Sequence, residues 1–200
     1  MRLMEILQLR ITLTSIDPPI WRRIQIPATF TFWDLHVAIQ DAMGWSDSHL
    51  HVFRAFGLLG DDIVEIGIPD IDLGGGRKIL HDREVKVEEH LTDFCPVLIY
   101  EYDFGDAWTH AVCLEFRRPA EPDKSYPICV AGERACPPED CGGPFMYPEL
   151  IEAIADPTHP EHERLSEWAG PYFDPETFDP KEVRFENPEK RWKQTWGAAR

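Results

Sequence analysis

The sequence predicts an α+β protein: a mixed, mainly antiparallel sheet with helices packed on it and a helical C-terminal portion. Alternating polar and apolar residues near the N-terminus and again at 97–116 are typical of strands with one buried face. Apolar residues at helical spacing follow the first strands, a short helix is predicted at 85–91, and the other helix signals come after residue 144. Strands first and helices later is the order that defines the α+β class.

The N-terminal elements are predicted from alternation and from capping residues. Residues 5–14 alternate polar and apolar, and a Pro-Pro turn leads to a second alternating run at 20–26. Arg22 interrupts the apolar side of that run, which indicates an edge strand. Thr31 is predicted to cap a helix that ends at Gly44, a residue type that favours helix C-termini.

The clearest hairpin spans residues 97–116, with Gly105-Asp106 as its predicted two-residue turn. This register places Glu101 opposite His110, because paired residues lie equally far from the turn. Side-chain alternation then gathers several groups on one face of the sheet. The face is predicted to carry Glu101, Asp103, Trp108 and His110, with Asp103 opposite Trp108.

The composition changes after residue 118, where prolines, cysteines and glycines crowd the chain before two helix signals. We predict one domain over residues 1–187, with a sheet-rich part at 1–118 and a Cys/Pro-rich loop with helices at 119–187. Residues 188–200 are predicted to form a C-terminal tail. A chain of 200 residues is long enough to bury a hydrophobic core without disulfides.

Acidic residues dominate the charge, because 36 Asp and Glu against 20 Lys and Arg give a formal net charge of −16. Such a surface repels the phosphates of duplex DNA, so we expect no duplex partner. The N-terminus carries Arg2, Glu5 and Arg10 and lacks the uncharged core of a signal peptide. No apolar run reaches the roughly 18 residues of a membrane helix. We expect a cytoplasmic protein with no membrane partner.

Three of the five cysteines lie close together in a Pro- and Gly-rich run, and the odd total argues against a disulfide framework. Cys129, Cys136 and Cys141 are candidate ligands for zinc, which structural sites hold with four nitrogen or sulfur atoms. His110 is the predicted fourth ligand, because its strand leads into this run. The alternative is that the thiols are simply buried, since free cysteine is among the most buried residue types.

A second candidate site gathers four groups of the hairpin: Glu101, Asp103, Asp106 and His110. They can bind a cation, or a carboxylate can orient the imidazole as a general base. The alternative is a scaffold made of a Glu–His cross-strand pair and an Asp that stabilises the turn. His49 and His51, two apart on a predicted strand, face one way and can also ligate a metal. One packed and one solvated histidine is the alternative there.

Several segments, taken in order, resemble the plasmid pRiA4b Orf-three-like family. The segments are 18–23 (PPIWRR), Trp45 with 49–53 (HLHVF), 102–110 (YDFGDAWTH), 136–144 (CPPEDCGGP) and 173–176 (FDPE). The resemblance covers about residues 5–187. It implies an α+β domain of bacteria and archaea, often found near plasmids or insertion sequences, with no established reaction. Some members carry a resolvase-like label, which the acidic charge of this chain does not support.

Two functions from different classes fit these observations. The first is a non-catalytic cytoplasmic binding module for a protein or peptide partner, with exposed aromatic side chains as anchors. The candidate anchors are Trp21, Trp33, Trp45, Trp108 and Trp168. The second is a metal-dependent hydrolase-like enzyme that uses Asp103, Asp106 and His110, with Glu139 and Asp140 nearby if the cysteine-rich loop folds over the hairpin. The family resemblance adds an association with mobile elements to either function.

The net charge generates a first testable prediction, which is that the protein does not bind duplex DNA at physiological salt. Non-specific affinity comes from Lys and Arg that neutralise phosphates, and no basic stripe is present in the sequence. A labelled duplex titrated with protein at about 150 mM salt measures this directly. Saturable binding in the low micromolar range contradicts the prediction.

Overall fold

The computed structural model describes residues 4–57, 63–69 and 78–196. These ranges contain one eight-stranded sheet in the order β5-β4-β3-β6-β7-β1-β2-β8, in which the β4–β5 pair is parallel and the others are antiparallel. The α+β prediction with a mixed, mainly antiparallel sheet is therefore confirmed. The strands are β1 (Glu5–Leu13), β2 (Trp21–Pro27), β3 (His51–Phe56), β4 (Ile63–Gly67), β5 (Ile79–His81), β6 (Val97–Tyr102), β7 (Trp108–Pro119) and β8 (Ile128–Glu133).

Five helices accompany the sheet in the described ranges. They are α1 (Phe32–Met43), α2 (Val87–His90), α3 (Gly143–Ala155), α4 (His162–Ala169) and α5 (Pro188–Thr195). The predicted cap of α1 is confirmed: Thr31 accepts from the Asp34 amide, and the Asp34 carboxylate accepts from the Thr31 amide. Gly44 ends α1 in the left-handed conformation, as glycine does at helix C-termini. No helix in these ranges is long and apolar enough to cross a bilayer.

The central strands β1 and β7 and the helix α1 contribute apolar side chains to one core. Leu7, Leu9 and Ile11 of β1 are completely buried in the core. The prediction that β2 is an edge strand is wrong, because β8 pairs with it on the outer side. Arg22 does not break the sheet, since its guanidinium lies inside the fold and donates to the carbonyls of Ala42 and Glu133.

The predicted register of the β6–β7 hairpin is wrong by one residue. Tyr100, and not Glu101, lies opposite His110, because the connection is a five-residue loop over 103–107 instead of a two-residue turn. Asp103 adopts a left-handed backbone with φ 56°, and its carbonyl accepts the Ala107 amide at 2.6 Å. A shift of one residue moves every side chain of a strand to the other face.

The corrected register separates the predicted polar face. His110 points into the core and is fully buried, whereas Glu101 points to the other side of the sheet and pairs with Arg54 at 2.5 Å. The proposed Glu101–His110 pair therefore does not form. Three predicted tryptophan anchors are also wrong, because Trp33, Trp45 and Trp108 are core residues, while Trp168 is 46% exposed. Trp21 is half-buried.

The C-terminal part contains more regular structure than the composition indicates. The Cys/Pro-rich run forms β8 before it forms loop, and α3 begins at Gly143, with Pro148 inside the helix. The predicted tail begins with α5, which packs on α1. Trp192 of α5 stands edge-on to Trp33 at 5.0 Å between ring centroids. Arg191 pairs with the buried Asp41 at 2.7 Å.

The buried His110 generates a prediction about pH. Burial lowers the pKa of His110 to about 4, against 6.5 in an unfolded chain. Below pH 6.5 the imidazole is protonated in the unfolded state, but in the folded state it stays neutral down to about pH 4. The free energy of unfolding therefore decreases as the pH falls through this range. His110 alone lowers the free energy of unfolding by about 3 kcal/mol between pH 7 and pH 4.

Urea unfolding at both pH values measures this loss. His110→Gln removes the titrating group, so the variant should lose about 3 kcal/mol less than the native chain over the same interval. Equal losses in the two proteins contradict the assignment.

Candidate metal centre

One histidine and two aspartates converge at one edge of the fold. His49 precedes β3, Asp103 begins the β6–β7 loop, and Asp140 lies between β8 and α3. His49 Nε2 lies 3.1 Å from an Asp140 carboxylate oxygen and 3.6 Å from an Asp103 carboxylate oxygen. In residues 4–57, 63–69 and 78–196, no other three His, Cys, Asp or Glu side chains bring their donor atoms within 4.8 Å of one another.

Asp103 is held in place by the loop that it begins. Its Oδ1 accepts the amides of Gly105 at 2.9 Å and Asp106 at 3.3 Å, which leaves Oδ2 free to face His49. The Asp103 amide donates to the Leu50 carbonyl at 2.9 Å. The hairpin tip and the residues around His49 are thus joined through the backbone.

Asp140 reaches the site because its loop is tied to the same hairpin. The Asp106 carboxylate accepts the Gly142 amide at 3.0 Å. Gly143 lies so close to the Asp106 carbonyl oxygen that a Cβ there would collide with it. Asp140 itself has a left-handed backbone with φ 60°, and its side chain is 72% exposed. Left-handed non-glycine residues of this kind cluster at functional sites.

A second set of hydrogen bonds braces the loop that carries His49. Glu139 accepts the Ser46 amide at 3.1 Å and the Tyr102 hydroxyl at 2.5 Å, while the Tyr102 oxygen accepts the Ser48 amide at 3.0 Å. Burial and the hydrogen bond to Glu139 raise the pKa of Tyr102 well above its usual range, so the hydroxyl stays protonated. The His49 ring stands edge-on to Tyr102.

The His49 nitrogen that faces the two carboxylates is shielded from solvent, and it forms a hydrogen bond with neither of them. Two ligands of a tetrahedral ion at about 2.1 Å are about 3.4 Å apart, which lies between the two observed separations. One imidazole nitrogen and two carboxylate oxygens suit zinc, manganese and similar ions. Three protein ligands leave one coordination position open.

The four residues of the predicted hairpin site do not lie together in the structure. Asp103 is part of the new cluster, and Asp106 supports it by holding the Gly142 amide. Glu101 and His110 lie elsewhere, since Glu101 pairs with Arg54 and the His110 imidazole donates to the Tyr100 carbonyl at 3.3 Å inside the core. The predicted face of Asp103, Asp106 and His110 is therefore not assembled.

The three cysteines are half-buried free thiols that pack against the core. Cys129, Cys136, Cys141 and His110 do not form a group with closely spaced donor atoms among the described residues. Burial raises the pKa of Cys141 to about 12 and that of Cys136 further, so both sulfurs are protonated at neutral pH. A zinc ion held by these four groups stays a prediction from the sequence.

Of the two histidines considered together, only His49 is in the cluster. His51 begins β3 and points into the core, where it stacks on His36 at 3.6 Å and bonds Asp82 at 3.1 Å. His49 precedes the strand, so alternation does not describe it. Asp140 is expected near the hairpin only if the cysteine-rich loop folds over it, and the structure shows that it does. Nothing local in the run Pro-Glu-Asp-Cys-Gly-Gly identifies His49 as its neighbour.

The fold and this cluster together define an α+β protein with a three-ligand candidate metal centre in the loops at the ends of strands β3, β6 and β7. Residues 5–182 match the plasmid pRiA4b ORF-3-like protein family, and the chain belongs to that family. The chain is 37% identical over 166 residues to the uncharacterized protein y4hQ of Sinorhizobium fredii (strain NBRC 101917 / NGR234). The aligned residues are 82% of this chain and 81% of that protein.

A solved structure has the same fold. The crystal structure of MM3350 from Methanosarcina mazei Go1, a protein of unknown function, gives a TM-score of 0.84 at 40% sequence identity. The similarity covers 92% of this chain and 99% of that one. The similarity thus extends over nearly the whole fold.

The close approach of Gly143 and Asp106 generates a prediction about stability. An alanine at Gly143 would need a left-handed backbone of φ +72° and would collide with the Asp106 carbonyl. Gly44 has φ +96° with nothing within 4 Å of a Cβ, so Gly44→Ala carries only the backbone strain, about 1 kcal/mol. Gly143→Ala should lose at least about 2 kcal/mol in urea unfolding. Equal losses would show that the approach is not tight.

Proposed function

We propose that this protein is a metal-dependent binding module that holds a divalent transition ion of the zinc class at His49, Asp103 and Asp140. The observation that carries the proposal is the shielded His49 nitrogen, which faces two carboxylate oxygens and hydrogen-bonds to neither. The ion joins three separate loops and keeps one coordination position for an oxygen atom of a partner.

The donor set supports a transition ion over calcium or magnesium. Calcium takes six to eight oxygen ligands, and magnesium prefers oxygens and retained waters. Here one ligand is an imidazole nitrogen, which suits zinc, copper, iron and nickel. The net charge of −16 also favours cation binding over anion binding.

Binding is favoured over hydrolysis because the groups that hydrolysis needs are already engaged. Glu139, the carboxylate next to Asp140, accepts hydrogen bonds from Ser46 and Tyr102. Asp106 holds the Gly142 amide, and His110 is buried away from the cluster. No free general base therefore faces the open coordination position among these neighbours.

Calorimetric titration of chelator-treated protein with zinc tests the proposal, and one ion per chain is expected. His49→Ala removes a ligand, and Asp140→Asn removes the charge of one. Each should weaken zinc binding by at least about tenfold, because even the loss of a residue that only supports a metal ligand weakens metal binding by about that factor. Asp123→Asn is the matched control, because Asp123 is exposed and lies outside the cluster. Its affinity should equal that of the native chain.

Cobalt substitution separates this site from the cysteine site predicted from the sequence. A cobalt ion bound by one imidazole and two carboxylates has no sulfur-to-metal charge-transfer band, whereas thiolate ligation produces one. A band that disappears in Cys136→Ser would place the metal at the cysteines and contradict the proposal. Stoichiometric zinc that persists in the His49→Ala, Asp140→Asn double variant would contradict it as well.

A further inference from the structure

An apolar groove opens beside the candidate metal centre, between α3 and α4. Its volume is about 250 Å³, and Asp140 forms part of its wall. Met146 and Leu150 line it from α3, while Leu165 and Trp168 line it from α4. One residue therefore belongs both to the metal cluster and to the groove.

Two apolar side chains of the groove are exposed, although Leu150 at its base is buried. Trp168 is 46% exposed and Met146 is 39% exposed, whereas Trp33, Trp45 and Trp108 are core residues. Large exposed apolar side chains at a concave surface mark a binding site when a polar group of defined chemistry adjoins them. Here that adjoining group is the metal ligand Asp140.

We infer that the groove and the metal centre together bind the C-terminal residue of a peptide partner. The apolar side chain of that residue fills the groove, and its terminal carboxylate takes the open position on the ion. This inference rests on the proposed metal binding and names the class of partner.

The size of the groove limits the occupant. Pockets that enclose drug-sized molecules measure about 300–1,000 Å³. The groove is smaller, at about 250 Å³, so it accommodates a single side chain and not a helix or a folded domain. The C-terminal residue of a peptide carries a carboxylate and a side chain on the same Cα. It can therefore place the carboxylate on the ion and the side chain in the adjoining groove.

The charges of the site make carboxylate binding conditional on the ion. Without the ion, Asp140 and Glu149 line the groove and repel a carboxylate. With the ion bound, its two positive charges offset the carboxylates of Asp103 and Asp140, and Arg164 of α4, which pairs with Glu161, also lines the groove. A carboxylate oxygen is a suitable fourth ligand for such an ion. The rest of the surface, in a chain of charge −16, offers a carboxylate little attraction.

Calorimetry with a minimal peptide end tests the inference. The probe is N-acetyl-glycyl-phenylalanine, and its C-terminal amide is the matched control, since the amide keeps the side chain and loses the charge. Zinc-loaded protein should bind the acid at least about tenfold more tightly than the amide. Metal-free protein should bind the acid at least about tenfold more weakly than zinc-loaded protein.

Two variants connect the binding to the groove. Trp168→Ala should weaken binding of the acid by at least about tenfold while the protein still takes up one zinc, because Trp168 lines the groove and is not a ligand. Tyr172→Ala is the control, because Tyr172 is 97% exposed and does not line the groove. It should bind the acid as the native chain does.

The outcomes distinguish the two proposals. If zinc does not bind, both the proposed function and this inference fail. If zinc binds and the acid does not, or if acid and amide bind equally, the inference fails and the metal site stands. If the acid binds equally well to Trp168→Ala, the carboxylate alone is recognised and the groove has no part in binding.

Discussion

The left-handed backbone of Asp103 is the constraint on which the hairpin, part of the core and the candidate metal centre depend. It opens the β6–β7 connection into a five-residue loop and so sets the register of both strands. Trp108 and His110 then face the core, and Glu101 faces away from it. The same conformation aims the Asp103 carboxylate at His49. Aspartate tolerates this region of backbone space because its short side chain bonds nearby amides, as it does here.

The fold class and the best-patterned elements could be predicted from the sequence because they depend on neighbouring residues. Helix α1 is an example, since Thr31, Asp34 and Gly44 fix both of its ends within the segment itself. The register of the hairpin could not be predicted in the same way. A two-residue turn and a five-residue loop both fit the residues around Gly105, and the difference is decided by the Asp103 amide bonding to the Leu50 carbonyl of a distant segment.

The candidate metal centre was predicted only in part, for a related reason. Asp103 stands out in the hairpin motif and His49 is a candidate ligand, but the sequence places Asp140 near them only if the cysteine-rich loop folds over the hairpin. Asp140 is brought in by the bond between Asp106 and the Gly142 amide, a contact between segments far apart in the chain. Composition instead favoured cysteine ligands, because sulfur-rich, glycine-rich runs are typical of zinc sites whether or not the fold gathers them.

Helix α5 lies beyond residue 182, where the match to the family ends, and yet it is part of the folded body because it packs on α1. Arg191 of α5 neutralises Asp41, whose pKa is raised by burial, and the Trp192 ring packs at right angles to the Trp33 ring. Removal of α5 would leave an uncompensated carboxylate and an uncovered indole on α1. Helices α1 and α5 are therefore one packing unit, in which the first helix depends on a segment about 150 residues away for the partner of its buried carboxylate.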